Sequence, residues 1–403
     1  MKYDFTSILD RTGQDAIAVE RIPDGWVDFP VAVREGFDRI PMWVADMNFP
    51  TVPSVTEALL ARASHPAYGY FDPSEAYYDA IIRWQETRNG VTGLRKEHIG
   101  YENGVLGGVV SAMNILGSRG DKVLVHAPTY IGFTKSLENN GYHIVHSRLQ
   151  IDQDGIYRMD FEDMEKKLRE QKIHVMIFCS PHNPTGRVWE RWEIETVMEL
   201  CRKYDVSVIS DEIWSDLLLN GHKHIPTQSV SEDARQRTIA VYAPSKTFNL
   251  AGLVGSYHII YNDRLRDRMN KESSLSHYNS MNVLSMHALI GAYSPAGHAW
   301  VDELKEVLSG NINFACDYIA EHFDGVKVSR PEGTYMLFLD CTEWCSKHGK
   351  TIEEVWAAGI AVGVIWQDGV SFHGPCHIRM NLALPLSRVK EAFDRLGQYV
   401  FRE

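Results

Sequence analysis

Thr238-Ile239-Ala240-Val241-Tyr242-Ala243-Pro244-Ser245-Lys246-Thr247-Phe248-Asn249 begins as an apolar, β-branched run and turns at once into a loop that carries one lysine. The run reads as a short buried strand. A lysine at its exit, followed by Thr, Phe and Asn rather than by more charge, is poorly placed for a solvated surface. Desolvation or a neighbouring cation lowers the pKa of an amine and makes it nucleophilic, which suits a Schiff base with a carbonyl. An ordinary strand-end lysine is the competing reading of this stretch alone.

The same alternation extends to both sides. Apolar strands are predicted over 122–126, 143–149, 174–179, 206–210, 238–242 and 256–261, with amphipathic helices over 131–140, 160–171 and 191–204. Helices are also predicted over 52–63 and 74–88, and a small-residue helix opens at Asn103-Gly104-Val105-Leu106-Gly107-Gly108 and runs to Leu116. Short strands alternating with helices specify an α/β fold, a mostly parallel sheet with helices on both faces. Ligands of such sheets sit beyond the carboxyl ends of the strands. Four polar loops fall there: 127–130, 180–186, 211–212 and 245–246. From about Asn282 the pattern changes to helices over 282–292, 296–323 and 386–401 and strands over 327–329, 335–340, 362–366 and 377–381. This predicts a smaller α+β domain, made of residues 1–45 and 286–403, beside a large domain of residues 46–285. A chain of 403 residues is long for one core, which fits two lobes.

A net charge of −12 argues against a nucleic-acid or anionic-membrane surface. No apolar run approaches the roughly 20 residues of a membrane span. The opening Met1-Lys2-Tyr3-Asp4-Phe5 lacks the apolar core of a secretory signal, and six scattered cysteines suit reduced thiols, so a cytoplasmic protein is expected. Cys341 with Cys345, and His373 with His377, have no matching second half for a metal site, and packing or turn roles are expected of them.

Several residue types in the four loops carry chemistry. Asp211 ends the strand Val206–Ser210, where a carboxylate either caps a turn or holds a pyridine nitrogen protonated. In Ser180-Pro181-His182-Asn183-Pro184-Thr185-Gly186, Asn183 is either a turn residue or a donor to a phenolic oxygen. Tyr130 offers a face on which a flat ring stacks. Arg379 lies mid-strand in His377-Ile378-Arg379-Met380-Asn381, and a guanidinium there needs an anion, either an internal carboxylate or one from a substrate. Glycines at 104, 107 and 108 suit either a phosphate at a helix start or close helix packing.

In their order along the chain, Asn183-Pro184-Thr185-Gly186, Ser210-Asp211-Glu212, Ser245-Lys246-Thr247-Phe248-Asn249 and Arg379 resemble the fold-type I pyridoxal phosphate enzymes of the aspartate aminotransferase superfamily. Trp43-Val44-Ala45-Asp46-Met47, Pro181 to Trp189, Ser245 to Gly252 and Arg379-Met380-Asn381-Leu382-Ala383 narrow the resemblance to the MalY/PatB group of cystathionine β-lyases. That resemblance implies pyridoxal 5′-phosphate bound covalently to Lys246, with Asp211 on the ring nitrogen, Asn183 on the ring oxygen and Tyr130 stacked on the ring. Lys246 and Tyr130 are then the catalytic pair, with Trp214 and Ser245 beside the cofactor. Gly104, Val105 and Leu106 offer helix-start amides to the phosphate, and Arg379 with Asn183 takes the substrate carboxylate. Tyr70 is expected to reach the site of a second copy, which implies a homodimer. Trp214, Ala243 and Asn48 depart from the group's usual residues.

The implied reaction is β-elimination on L-cystathionine or a related L-cysteine thioether, giving a thiol, pyruvate and ammonia. Two alternatives stand beside it: an aminotransferase, which uses the same residues, and a regulatory protein acting through a protein partner.

Overall fold

Seven strands form the central sheet of the computed structural model, which describes residues 1–23, 31–276 and 279–402. In spatial order they are Ile99–Glu102, Ser256–Ile259, Thr238–Tyr242, Ser207–Asp211, Val175–Cys179, Lys122–Ala127 and His143–Arg148. The last five pair in parallel; Ser256–Ile259 runs antiparallel to both of its neighbours. Val175–Cys179 and Thr238–Tyr242 are buried at every position, because helices cover both faces. Helices Val105–Leu116 and Ile131–Asn139 seal one face through Val109, Met113, Phe133 and Leu137. Phe161–Gln171 and Arg191–Lys203 seal the other through Met164, Leu168, Ile194 and Met198. The chain has the α/β class that its alternating pattern predicts.

A second sheet of four antiparallel strands takes the order Lys327–Val328, Met336–Asp340, His377–Asn381, Gln367–Asp368. Predicted as one strand, residues 362–366 instead end as Val364–Ile365, paired in parallel with Ile40–Pro41. The chain then crosses at Trp366 into the four-stranded sheet. The N-terminal segment is fastened nearby. The amides of Lys2 and Tyr3 donate to Glu303, and Phe5 packs edge-on against Phe49. Residues 24–30 of the segment 1–45 lie outside the described residues.

Some elements had no readable signature. Ile99–Glu102 contains Gly100 and a single β-branched residue; pairing with Ser256–Ile259 makes it a strand. A Cβ at Gly100 would lie 2.3 Å from the His258 ring, so this neighbour requires glycine. Helix Asp263–Ser276 carries charge around most of its surface and docks through Leu265 and Met269. Helices Thr342–His348 and Ile352–Ala361 were also missing from the pattern.

The two histidines near residue 375 find packing partners. His377 stacks on Phe338 with centroids 4.6 Å apart, and His373 lies 4.2 Å from His146. Among the described residues there is no cluster suited to a metal, and no helix is long and apolar enough to cross a membrane.

Candidate active site

The carboxyl ends of the parallel strands open into a cavity of about 200 Å³. Nine residues expected at the site line it. Gly104, Val105 and Leu106 form one wall, Tyr130 and Asn183 another, and Asp211, Trp214, Ser245 and Lys246 the rest. Arg379 reaches this group through Asn183, to whose Oδ1 its Nη1 donates at 3.4 Å. Tyr70 does not join them in a single chain: it is fully exposed, at 111%.

Lys246 leaves the sheet at the end of Thr238–Tyr242 and donates from Nζ to the Ala45 carbonyl at 2.9 Å. That carbonyl also accepts from the Tyr335 hydroxyl at 3.0 Å. Asn249 fixes the approach of residues 45–49. At φ 58 its side chain accepts from the Met47 amide and donates to the Met47 carbonyl, both at 2.9 Å. Burial, and next the charge of Arg379, bring the Lys246 amine down to about 8. A sizeable fraction of the amine is therefore unprotonated at mildly alkaline pH. Its charged form lies 5.8 Å from the Trp214 ring centroid, and Trp214 in turn packs edge-on against Tyr335.

Asp211 is buried, and among the described residues its carboxylate accepts a single hydrogen bond, from the Ile213 amide at 3.1 Å. Burial raises its pKa to about 7. Arg379 is buried as well and is held by neutral groups. Nη2 donates to the Trp43 carbonyl at 3.0 Å and to Gln367 Oε1 at 2.8 Å, the Phe372 ring lies 4.2 Å away, and Nε has no partner among the described residues. No carboxylate within salt-bridge distance of Arg379 occurs among the described residues, which removes the internal ion pair as the reason for its burial.

Gly104, at φ 78, starts helix Val105–Leu116 without any side-chain cap, so its first amides face the cavity unclaimed by a side chain. Tyr130 starts the next helix, and a Cβ on Gly132 would lie 2.3 Å from its ring. Sequence reasoning missed Gly132, the Ala45 carbonyl, Tyr335, Cys179 and Gln367. Only Gly132 carried a signal, a glycine in the first turn of a helix.

The departures at 48, 214 and 243 have local accounts. Asn48 accepts from Arg11, which also pairs with Asp46 at 2.6 Å, and its own side chain donates to the Pro41 carbonyl. A second acid is not needed there. Trp214 fills the space against Tyr335, and Ala243 lines the cavity next to Ser245.

Fold and cavity together define an α/β protein with a built site at the ends of its parallel strands. The family model for aminotransferase class I and II matches residues 40–396, and the chain belongs to that family. It is 35% identical over 362 residues to "Cystathionine beta-lyase PatB" of Bacillus subtilis (strain 168), covering 89% of this chain and 92% of that protein. To "Protein MalY" of Escherichia coli (strain K12) it is 31% identical, with 84% of each chain covered. The PLP-bound C-S lyase from Staphylococcus hominis superposes with a TM-score of 0.87 at 30% identity, over 98% of both chains.

The cavity suits pyridoxal phosphate on its own evidence. A buried carboxylate with no salt-bridge partner among the described residues calls for a protonated ring nitrogen. An uncapped helix start calls for an anion. A depressed lysine beside both calls for an aldehyde.

Proposed function

We propose that the chain is a pyridoxal phosphate-dependent C–S β-lyase. Its substrate is L-cystathionine or a related L-cysteine thioether, which with water yields a thiol, pyruvate and ammonia. The observation that carries this reading is the meeting of Lys246 and Asp211 in one cavity, with Arg379, free of any carboxylate partner among the described residues, bonded to Asn183 in the cavity wall.

Pyridoxal phosphate, when bound, supplies an aldehyde that links to amines and a pyridine ring that withdraws electrons from the substrate Cα. Lys246 Nζ would be the amine that holds the cofactor, and in its free form would serve as the base for the substrate α-proton. Asp211 keeps the ring nitrogen protonated, an ion pair that relieves the desolvation of its carboxylate. Asn183 donates to the ring oxygen, and Tyr130 covers one ring face. Burial raises the Tyr130 phenol's pKa, so it stays a proton donor. Gly104, Val105, Leu106 and Ser245 hold the phosphate, and Trp214 closes the cavity beside Lys246. Arg379 takes the α-carboxylate and with Asn183 fixes the direction of the Cα–H bond.

The large domain in this proposal is residues 46–285, and the smaller one is residues 1–45 with 286–403. The enzyme is a cytoplasmic homodimer in which the exposed Tyr70 serves the partner's cavity. Support comes from the exposure of Tyr70. Aminotransfer is the second reading, favoured by the family that the chain belongs to.

Lys246→Ala tests the assignment. The variant should lose the near-ultraviolet to visible band of covalently bound cofactor, together with pyruvate formation from L-cystathionine. Retention of both would overturn it.

A further inference from the structure

The side chain that determines what Arg379 can bind lies on the neighbouring strand. Gln367 stands directly opposite Arg379 in the antiparallel pair Gln367–Asp368 with His377–Asn381. Its Oε1 accepts from Arg379 Nη2 at 2.8 Å. The next residue, Asp368, accepts from the amides of Val370 and Ser371 at 3.1 and 3.4 Å, shaping the turn that delivers Phe372. The Phe372 ring lies 4.2 Å from the guanidinium, and its carbonyl accepts from the Thr129 amide at 2.9 Å. One short segment thus supplies an amide against the edge of the guanidinium and an aromatic face beneath it.

The choice of an amide at 367 has a chemical consequence. The guanidinium already makes this bond charge-assisted; a carboxylate of the same shape, at the same distance, would add a full ion pair to it. It would neutralise the arginine before any substrate arrived. A neutral acceptor orients the guanidinium and leaves its positive charge and its unpartnered Nε for another anion. The other protein acceptors, the Trp43 carbonyl and Asn183 Oδ1, are neutral too.

We propose that Gln367 is a positioning and specificity residue, a neutral clamp that holds Arg379 oriented but unneutralised so that the enzyme accepts only amino compounds bearing an α-carboxylate. The inference rests on the assignment of Arg379 as the α-carboxylate site. It adds that residue 367, which does not touch substrate, sets the affinity of that site.

The test uses holoenzyme and two competitive probes, L-alanine and L-alaninamide, which differ by the carboxylate. Gln367→Glu should weaken inhibition by L-alanine, and raise KM for L-cystathionine, by about tenfold or more, with kcat at saturation nearly unchanged. Inhibition by L-alaninamide should stay the same or strengthen. Gln367→Leu, which adds no charge, should weaken L-alanine by only a few-fold and leave L-alaninamide unchanged. The cofactor absorbance band reports folding and loading of each variant. Equal weakening of both probes in Gln367→Glu, or no weakening of either, would overturn the clamp. Arg379→Ala separates the two levels. If it leaves L-alanine inhibition intact, the assignment of Arg379 itself fails. If it abolishes that inhibition while Gln367→Glu leaves it unweakened, the clamp alone fails.

Discussion

Two arginines are buried to the same degree, 4% exposed each, and they are treated in opposite ways. Arg187 follows the Asn183–Gly186 turn and is surrounded by acids: Glu193 at 2.6 Å, Glu190 at 3.1 Å and Glu332 in direct contact. It also donates to the Tyr157 carbonyl at 3.1 Å. Arg379 has no acid in contact, and one of its nitrogens is unpartnered. Adjacent residues of one strand end repeat the contrast with the sign reversed. Glu212 accepts from the Tyr242 hydroxyl at 2.6 Å and from the Thr227 amide at 3.0 Å, and pairs with His224 at 2.6 Å. Asp211 has an amide. Burial raises both carboxylates, but the partners of Glu212, His224 foremost, bring its pKa below the usual range, whereas that of Asp211 stays near 7. In both pairs the charge with its valences filled is structural, and the one left short belongs to the site: Asp211 lines the cavity and Arg379 bonds Asn183 in its wall.

The comparison breaks first at the arginines. Arg187→Met should cost stability of about 3–5 kcal/mol, because the fully buried Glu193 is left with Arg158 alone and the largely buried Glu332 loses its cation. Denaturant melts would read this, and activity per folded molecule should change little. Arg379→Met should do the reverse, leaving the melt nearly unmoved while kcat/KM falls about 100-fold or more. Similar losses of stability in both variants would remove the distinction.

The acids give the next test, with a sign that depends on pH. Asp211 has its folded pKa raised from 3.8 to about 7, so the folded apoprotein binds more protons than the unfolded chain between those values. Its contribution to stability is therefore lost as pH rises through that window. Asp211→Asn should stabilise the apoprotein above about pH 7, by at most on the order of 4 kcal/mol, with no gain near pH 3. The same variant should fail to sustain turnover. Glu212→Gln should destabilise the protein at neutral pH by about 1–3 kcal/mol, since its donors lose a charged acceptor. Urea melts of the apoproteins at pH 5 and pH 8 would show whether the two move in opposite directions.

A smaller effect is expected at Val254, a β-branched cavity residue held at φ 46. Val254→Gly should stabilise the apoprotein by about 1 kcal/mol if the strain is relieved without loosening the loop. A loss would mean that its side-chain contacts outweigh the strain.

What was legible in the sequence follows the same division. Asp211 and Lys246 were found because each ends an apolar run, where a charge is conspicuous. Arg379 was found because it interrupts one. The parallel strands were legible for the same reason: burial on both faces leaves continuous apolar runs such as Val175–Cys179. Gln367, Tyr335 and the Ala45 carbonyl were not legible. They act as neutral hydrogen-bonding groups, and their position relative to the lysine and the arginine depends on pairing between distant segments. Ile99–Glu102 was missed on similar grounds, as its strand character comes from its partner. Nor does an arginine announce whether acids surround it, which is why Arg187, in a loop, and Arg379, in a strand, could be told apart only in three dimensions.

The most direct test of the central claim is the stoichiometry of pyruvate released from L-cystathionine by the holoenzyme with no 2-oxo acid present. The account predicts continuous turnover, with one pyruvate for each thiol freed. No pyruvate, with amino groups passing to an added 2-oxo acid instead, would contradict the lyase and leave the same cavity performing transamination.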